Sequence, residues 1–124
     1  MNKSTLLPLQ RAVFLRHQSW RSVPLVLAQS RPARLWGIKQ VPSGWGVLLR
    51  TNSVHGVGIR ESLTVLGIDA AGCLLAVRGL APHRLVTCRG ATWIAELAAN
   101  ATVPAPGSHL SLVRAAGPAA FESL

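Results

Sequence analysis

Acidic residues are scarce in this chain. Four Asp and Glu stand against thirteen Lys and Arg, which gives a formal net charge of +9 over 124 residues. That imbalance attracts anionic partners over long range: nucleic acid, acidic lipid or an acidic protein. Eleven of the basic residues are arginine, which a GC-rich coding bias also produces. Lys3, Arg11, Arg16, Arg21, Arg31, Arg34 and Lys39 all precede Glu61, the first carboxylate, so the positive charge is weighted toward the N-terminal side.

Cysteine is scarcer still, with only Cys73 and Cys88. Two thiols do not make a disulfide scaffold and are read as small buried hydrophobes. Long apolar runs are missing as well. Pro8, Gln10, Arg11 and Arg16 break every N-terminal candidate for a signal sequence, which needs about 7–15 uninterrupted apolar residues. Pro24 interrupts the next candidate, and no window approaches the roughly 20 apolar residues of a membrane span. A cytoplasmic protein is expected.

Motifs for common chemistries are also absent. His17, His55, His83 and His109 lie far apart, with no pair at zinc-ligand spacing. The stretch "GVGIRES" has two glycines but neither the lysine of a phosphate loop nor the spacing of a dinucleotide fingerprint. No metal, cofactor or catalytic residue is therefore assigned. Trp20, Trp36 and Trp45 do interleave with Arg16, Arg21, Arg31, Arg34, Lys39 and Arg50, the minimum a single-stranded nucleic-acid binder requires. No recognised nucleic-acid motif accompanies them.

What is present is a hydrophobic fraction of 49%, enough to bury a core, cut into short β-leaning runs. "PLVLAQ", "WGVLLR", "LTVLGID", "CLLAVRG", "HRLVTC", "ATWIAEL" and "SHLSLVR" are separated by Gly and Pro punctuation. "DAAG" joins two of them as a hairpin turn, and "RG" is expected to join "HRLVTC" to "ATWIAEL" as the next pair. Ser30 as N-cap, Pro32 in the first turn and Gly37 as a stop predict a short helix near residues 31–37.

The expected fold is mostly β: a small antiparallel barrel or sandwich with one short helix. It occupies residues 22–115, after a basic lead-in over 1–21 that is weakly helical or disordered, and before a flexible tail over 116–124. The expected core is Leu25, Leu27, Leu35, Val47, Leu49, Val65, Ile68, Leu75, Val77, Ile94, Leu97 and Leu112.

The densest pattern is "SVHGVGIRESLTVLGIDAAGCLLAV", Ser53 to Val77. Its Ser53, Val54, His55, Gly58, Arg60, Val65, Asp69 and Gly72 resemble the central motif of the domain-of-unknown-function family 192. Collinear likenesses flank it at Arg34, Leu35 and Gly37, at Gly46 to Leu49, and in "LAPHRLV", "GATWIAEL" and "PGSHLSL". Together they cover roughly residues 24–113. The resemblance implies a small β-rich domain with one short helix, and by family analogy an association with secretion or pilus-assembly proteins. It implies no activity. The chain departs from the family pattern at Ile59, Glu61, Ser62 and Thr64, where Met, Phe, Pro and Asp are common. Losing the aspartate to Thr64 weakens any role that needs a charge there.

The candidate binding residues are Ser53, His55, Gly58 and Arg60. Alternation along an extended strand puts Ser53 and His55 on one face and Arg60 on the other. A bulge at Gly56 or Gly58 would bring Arg60 round beside His55 and build a cationic pocket for a carboxylate or phosphate. The competing reading is structural: His55 bonds a neighbouring strand, and Arg60 pairs with Glu61 or Asp69. Binding or interaction is expected rather than catalysis. The alternatives are nucleic-acid or other polyanion binding through the arginines, and an enzyme or metal-dependent activity centred on His55.

Overall fold

The computed structural model describes residues 12–28, 43–114, 117–118, 120–121 and 124. It is a β structure, with eleven strands among the described residues: β1 (Val13–His17), β2 (Trp20–Arg21), β3 (Leu25–Ala28), β4 (Gly46–Leu49), β5 (Ser53–His55), β6 (Leu63–Ile68), β7 (Leu74–Leu80), β8 (Leu85–Thr87), β9 (Trp93–Ala98), β10 (Ser111–Arg114) and β11 (Gly117–Pro118). One curled sheet runs β11-β10-β1-β3-β4-β9-β6-β7, with β2 paired to β1. β5 and β8 form a separate two-stranded sheet. The helix expected at 31–37, with Leu35, Trp36 and the nearby Arg31, Arg34 and Lys39, lies outside the described residues. No helix among the described residues is long and apolar enough to cross a membrane.

The middle of the large sheet is covered on both sides. All four residues of β4 are buried, and so are the first five of β9. Strands covered on both faces read as near-continuous apolar runs rather than alternating ones. Along β4, Leu48 joins one core cluster with Leu15, Leu25, Leu66 and Leu74. Its neighbours Val47 and Leu49 join the other, with Val54, Ile59, Val65, Cys88 and Ile94. The second cluster is the layer on which the small β5–β8 sheet sits, through Val54 and the partly buried Val86. Leu48 is fully buried but outside the expected core, and it faces opposite to its expected neighbours Val47 and Leu49.

The "DAAG" hairpin forms as expected, pairing β6 with β7. Asp69 shapes the turn: its Oδ1 accepts hydrogen bonds from the backbone N–H of Ala71 (3.0 Å) and Cys73 (2.8 Å). Four expectations need correction. β8 pairs with β5, not with β9, which is bonded between β4 and β6. The sheet is not wholly antiparallel, because β3 and β4 run parallel from Leu25↔Gly46 to Ala28↔Leu49. Leu75 is not core. It is 37% exposed, because alternation along β7 turns Leu74 inward and Leu75 out. The domain boundaries also move outward at both ends.

At the N-terminal side, Val13 to His17 is a strand pairing with β10, not a helix, and Val13 and Leu15 are buried at period two. The turn at Gln18, whose φ of 53° is left-handed, returns the chain into β2, and the Arg21 guanidinium lies 4.7 Å from the centre of the Phe14 ring. At the C-terminal side, Phe121 is buried in the first cluster, its ring 6.3 Å from that of Trp93 at a tilt of 43°. Phe121 is thus core, in a stretch whose composition reads as a loose tail.

Phe121→Ala should therefore destabilise the domain by about 3 kcal/mol. Urea denaturation checks this; a loss under about 0.5 kcal/mol, the range of ordinary surface changes, would mean that the C-terminal segment does not pack.

Candidate functional site

The small sheet positions the motif residues. β5 and β8 pair antiparallel, with Ser53 opposite Thr87, Val54 opposite Val86 and His55 opposite Leu85. Val54 is buried in the second core cluster, so Ser53 and His55 occupy the outer face, each half-buried. The Ser53 and Thr87 hydroxyls bond to each other at 3.1 Å.

The strand then stops, and no bulge intervenes. The carbonyl of Gly56 accepts from the N–H of Ile59 (3.3 Å) and of His83 (3.1 Å), while its own N–H donates to the Arg84 carbonyl (2.7 Å). Gly56 is the hinge of this arrangement: a Cβ there would collide with the Ala81 carbonyl. Gly58 follows in the turn with φ +90° and open space around it. Ile59 returns to the core, and Arg60 stands exposed. On the other side of Gly56, His83 holds φ +63°, a costly conformation for a residue with a Cβ.

Ser53 and His55 thus share a face as expected. Gly58 and Arg60 reach the surface on the loop beyond, and no hydrogen bond joins Arg60 to His55. The structural partners expected for these side chains are absent among the described residues. Arg60 makes no ion pair with a described residue, and Asp69 is engaged in its turn. His55 Nδ1 is buried without a hydrogen-bond partner, whereas Nε2 is not enclosed. A buried ring nitrogen left without a partner costs about 1–3 kcal/mol. In a neutral ring the cheaper tautomer leaves Nδ1 bare and carries the hydrogen on Nε2, which can then act as a donor.

The segment from Arg60 to Leu63 leads to an open cleft of about 370 Å3 at the ends of β4, β6 and β9. Trp45, Glu61, Ser62, Glu96 and Asn100 line it. Two of the four carboxylates of this basic chain therefore face one depression, and Glu96 is only 4% exposed. Its one visible signal in the sequence is a lone carboxylate inside the apolar run "WIAEL". Among the described residues no group of three His, Cys, Asp or Glu is placed to hold a metal.

His17, His109, Trp20 and Trp93 serve the scaffold. His17 Nδ1 bonds the His109 carbonyl at 2.9 Å, and His109 Nε2 bonds the Ala71 carbonyl at 2.8 Å, tying β1 to the β6–β7 turn. Trp20 donates its indole N–H to the Thr102 carbonyl at 2.7 Å, and the Arg50 guanidinium lies 5.4 Å from the centre of the Trp93 ring. Both cysteines are free thiols. Burial pushes the Cys88 thiol above its ordinary value, with a smaller opposing pull from Arg78.

No protein-family model matches the chain, and no curated protein matches it. Two solved structures share its fold. A "putative transcription regulator" from Sinorhizobium meliloti superposes with a TM-score of 0.64 at 23% identity, over 81% of this chain and 91% of that one. A protein of unknown function from Novosphingobium aromaticivorans gives a TM-score of 0.66 at 12% identity, over 81% of this chain and 83% of that one. At such identities the likeness establishes a common β architecture.

Two outcomes follow from the local geometry. Gly56→Ala should cost about 2 kcal/mol or more, because backbone blocks the new methyl. Gly58→Ala should cost only about 1 kcal/mol, for its positive φ alone. Urea midpoints rank the two, and the reverse order would remove Gly56 from its place as hinge.

Cys88 makes stability fall at alkaline pH. Below about 8.5 the thiol is protonated in both the folded and the unfolded chain, and its contribution is fully present. Above that, the unfolded chain loses its proton first, so stability drops as pH rises toward the raised folded value. Cys88→Ala should flatten this slope, read as the change in unfolding free energy between neutral and mildly alkaline pH. An equal slope in both proteins would contradict the assignment.

Proposed function

We propose that this chain is a small binding domain, not a catalyst, that recognises an anionic group on the outer face of β5–β8. His55 and Arg60 are the recognising side chains. Ser53 shapes the surface, and Gly58 gives the Arg60 loop its turn. We also assign the chain to the domain-of-unknown-function family 192, on its motif and on the β fold that the resemblance implies.

One observation carries the reading: an exposed arginine without an ion pair to a described residue follows shortly after a half-buried histidine whose side chain makes no hydrogen bond. Several groups that hydrolysis would need are engaged elsewhere. The Ser53 hydroxyl bonds Thr87, the Asp69 carboxylate holds a turn, and burial disfavours the Cys88 thiolate. The net charge of +9 supports a polyanionic partner. The two free thiols support a cytoplasmic location.

Chemical-shift titration of labelled protein with inorganic phosphate and with oligoglutamate tests the site. Shifts should concentrate at residues 53–60 and 84–87. His55→Ala and Arg60→Ala should each weaken binding by about fivefold or more while stability stays within roughly 1 kcal/mol. Unchanged binding with a large loss of stability in His55→Ala would make His55 a structural residue and end the proposal.

A further inference from the structure

The face that carries His55 is not only cationic. Four large hydrophobic side chains stand exposed among the described residues, and the two most exposed flank this histidine. Leu85, 68% exposed, is its cross-strand partner, and Val57, 57% exposed, lies two residues beyond it in the turn. The other two, Val23 at 44% and Leu75 at 37%, belong to other parts of the fold. Around Leu85 and Val57 the exposed charges are mainly arginine. Arg84 adjoins Leu85, Arg89 follows β8, and Arg60 follows Val57; none makes an ion pair with a described residue. Glu61 is the one exposed carboxylate in these segments.

An aliphatic centre with an arginine rim is the anatomy of a protein-docking patch. A single-stranded nucleic acid requires another surface, with exposed aromatic rings on which bases stack. None of the four exposed large hydrophobics is aromatic. Trp93 is buried, Trp45 lines the cleft with its carboxylates, and the Trp20 indole is held by Thr102. We infer that the outer face of β5–β8 docks an acidic segment of another protein, seating an apolar anchor on Leu85 and Val57 while acidic flanks meet Arg60, Arg84 and Arg89. The inference rests on the anion-recognition reading above and names its partner.

The test uses the full chain and a labelled peptide with a Leu-Phe pair between runs of glutamate, followed by fluorescence anisotropy at fixed salt. The controls are a peptide of equal charge with Ser-Ser at its centre and a single-stranded oligothymidylate. The Leu-Phe peptide should bind most tightly. Leu85→Ser and Val57→Ser should each weaken it by roughly tenfold, and Val23→Ser by less than about twofold. Thermal melts confirm that the variants fold, as the exposure of these side chains implies. Equal binding of the two peptides, unaffected by Leu85→Ser, overturns the docking inference and leaves anion recognition standing. Tighter binding of oligothymidylate overturns it in favour of nucleic acid. Failure of every probe to bind overturns both readings.

Discussion

Everything in this domain hangs on two adjacent strands being buried on both faces. β4 and β9 lie at the centre of the sheet, and their alternate side chains feed two separate apolar clusters. The first cluster closes against β1, β10 and Phe121. The second is closed by the short β5–β8 sheet. A two-stranded sheet is marginal on its own in water. This one is held because Val54, Val86, Ile59 and Cys88 belong to a layer that β4, β6 and β9 already require. The outer face of β5–β8 is thereby free of structural duty, so the exposed Leu85 and Arg60 do not weaken the core.

The same layering divides the chain's charge. Basic side chains crowd the exposed surface, while two of the four carboxylates line the cleft at the ends of β4, β6 and β9 and a third is locked in the Asp69 turn. The β5–β8 face is left with little acidic compensation. A positive potential over that face follows from where the few carboxylates went, as much as from how many arginines there are.

Much of this was legible in the residues, and the failures have physical causes. Short apolar runs with Gly and Pro punctuation identify β3, β4, β6, β7, β9 and β10, because strand periodicity and turn chemistry are local. Partnership is not local. "HRLVTC" and "ATWIAEL" are neighbours in sequence, yet β8 crosses to β5 while β9 enters the large sheet. Leu48 is missed because alternation on β4 names one face and both are filled. Phe121 is missed because a single aromatic among small residues gives no periodic signal. At the candidate site, the shared face of Ser53 and His55 follows from strand geometry alone. The exposed Leu85 beside them depends on the β5–β8 pairing and had no signature in the sequence.

The pairing of β1 with β10 brings Val13 opposite Arg114. Its parallel neighbour pair, β3 with β4, also needs a long connection before its two strands can meet. On a ribosome, residues 13–17 emerge long before their partner at 111–114. Until the last strands are made, Val13 and Leu15 lie along an unpaired edge, open to any other extended chain. Closure of the sheet is then a late event that joins distant parts of the polypeptide. Such non-local closure makes folding slow, and the nascent chain depends in that interval on whatever shields its first strand.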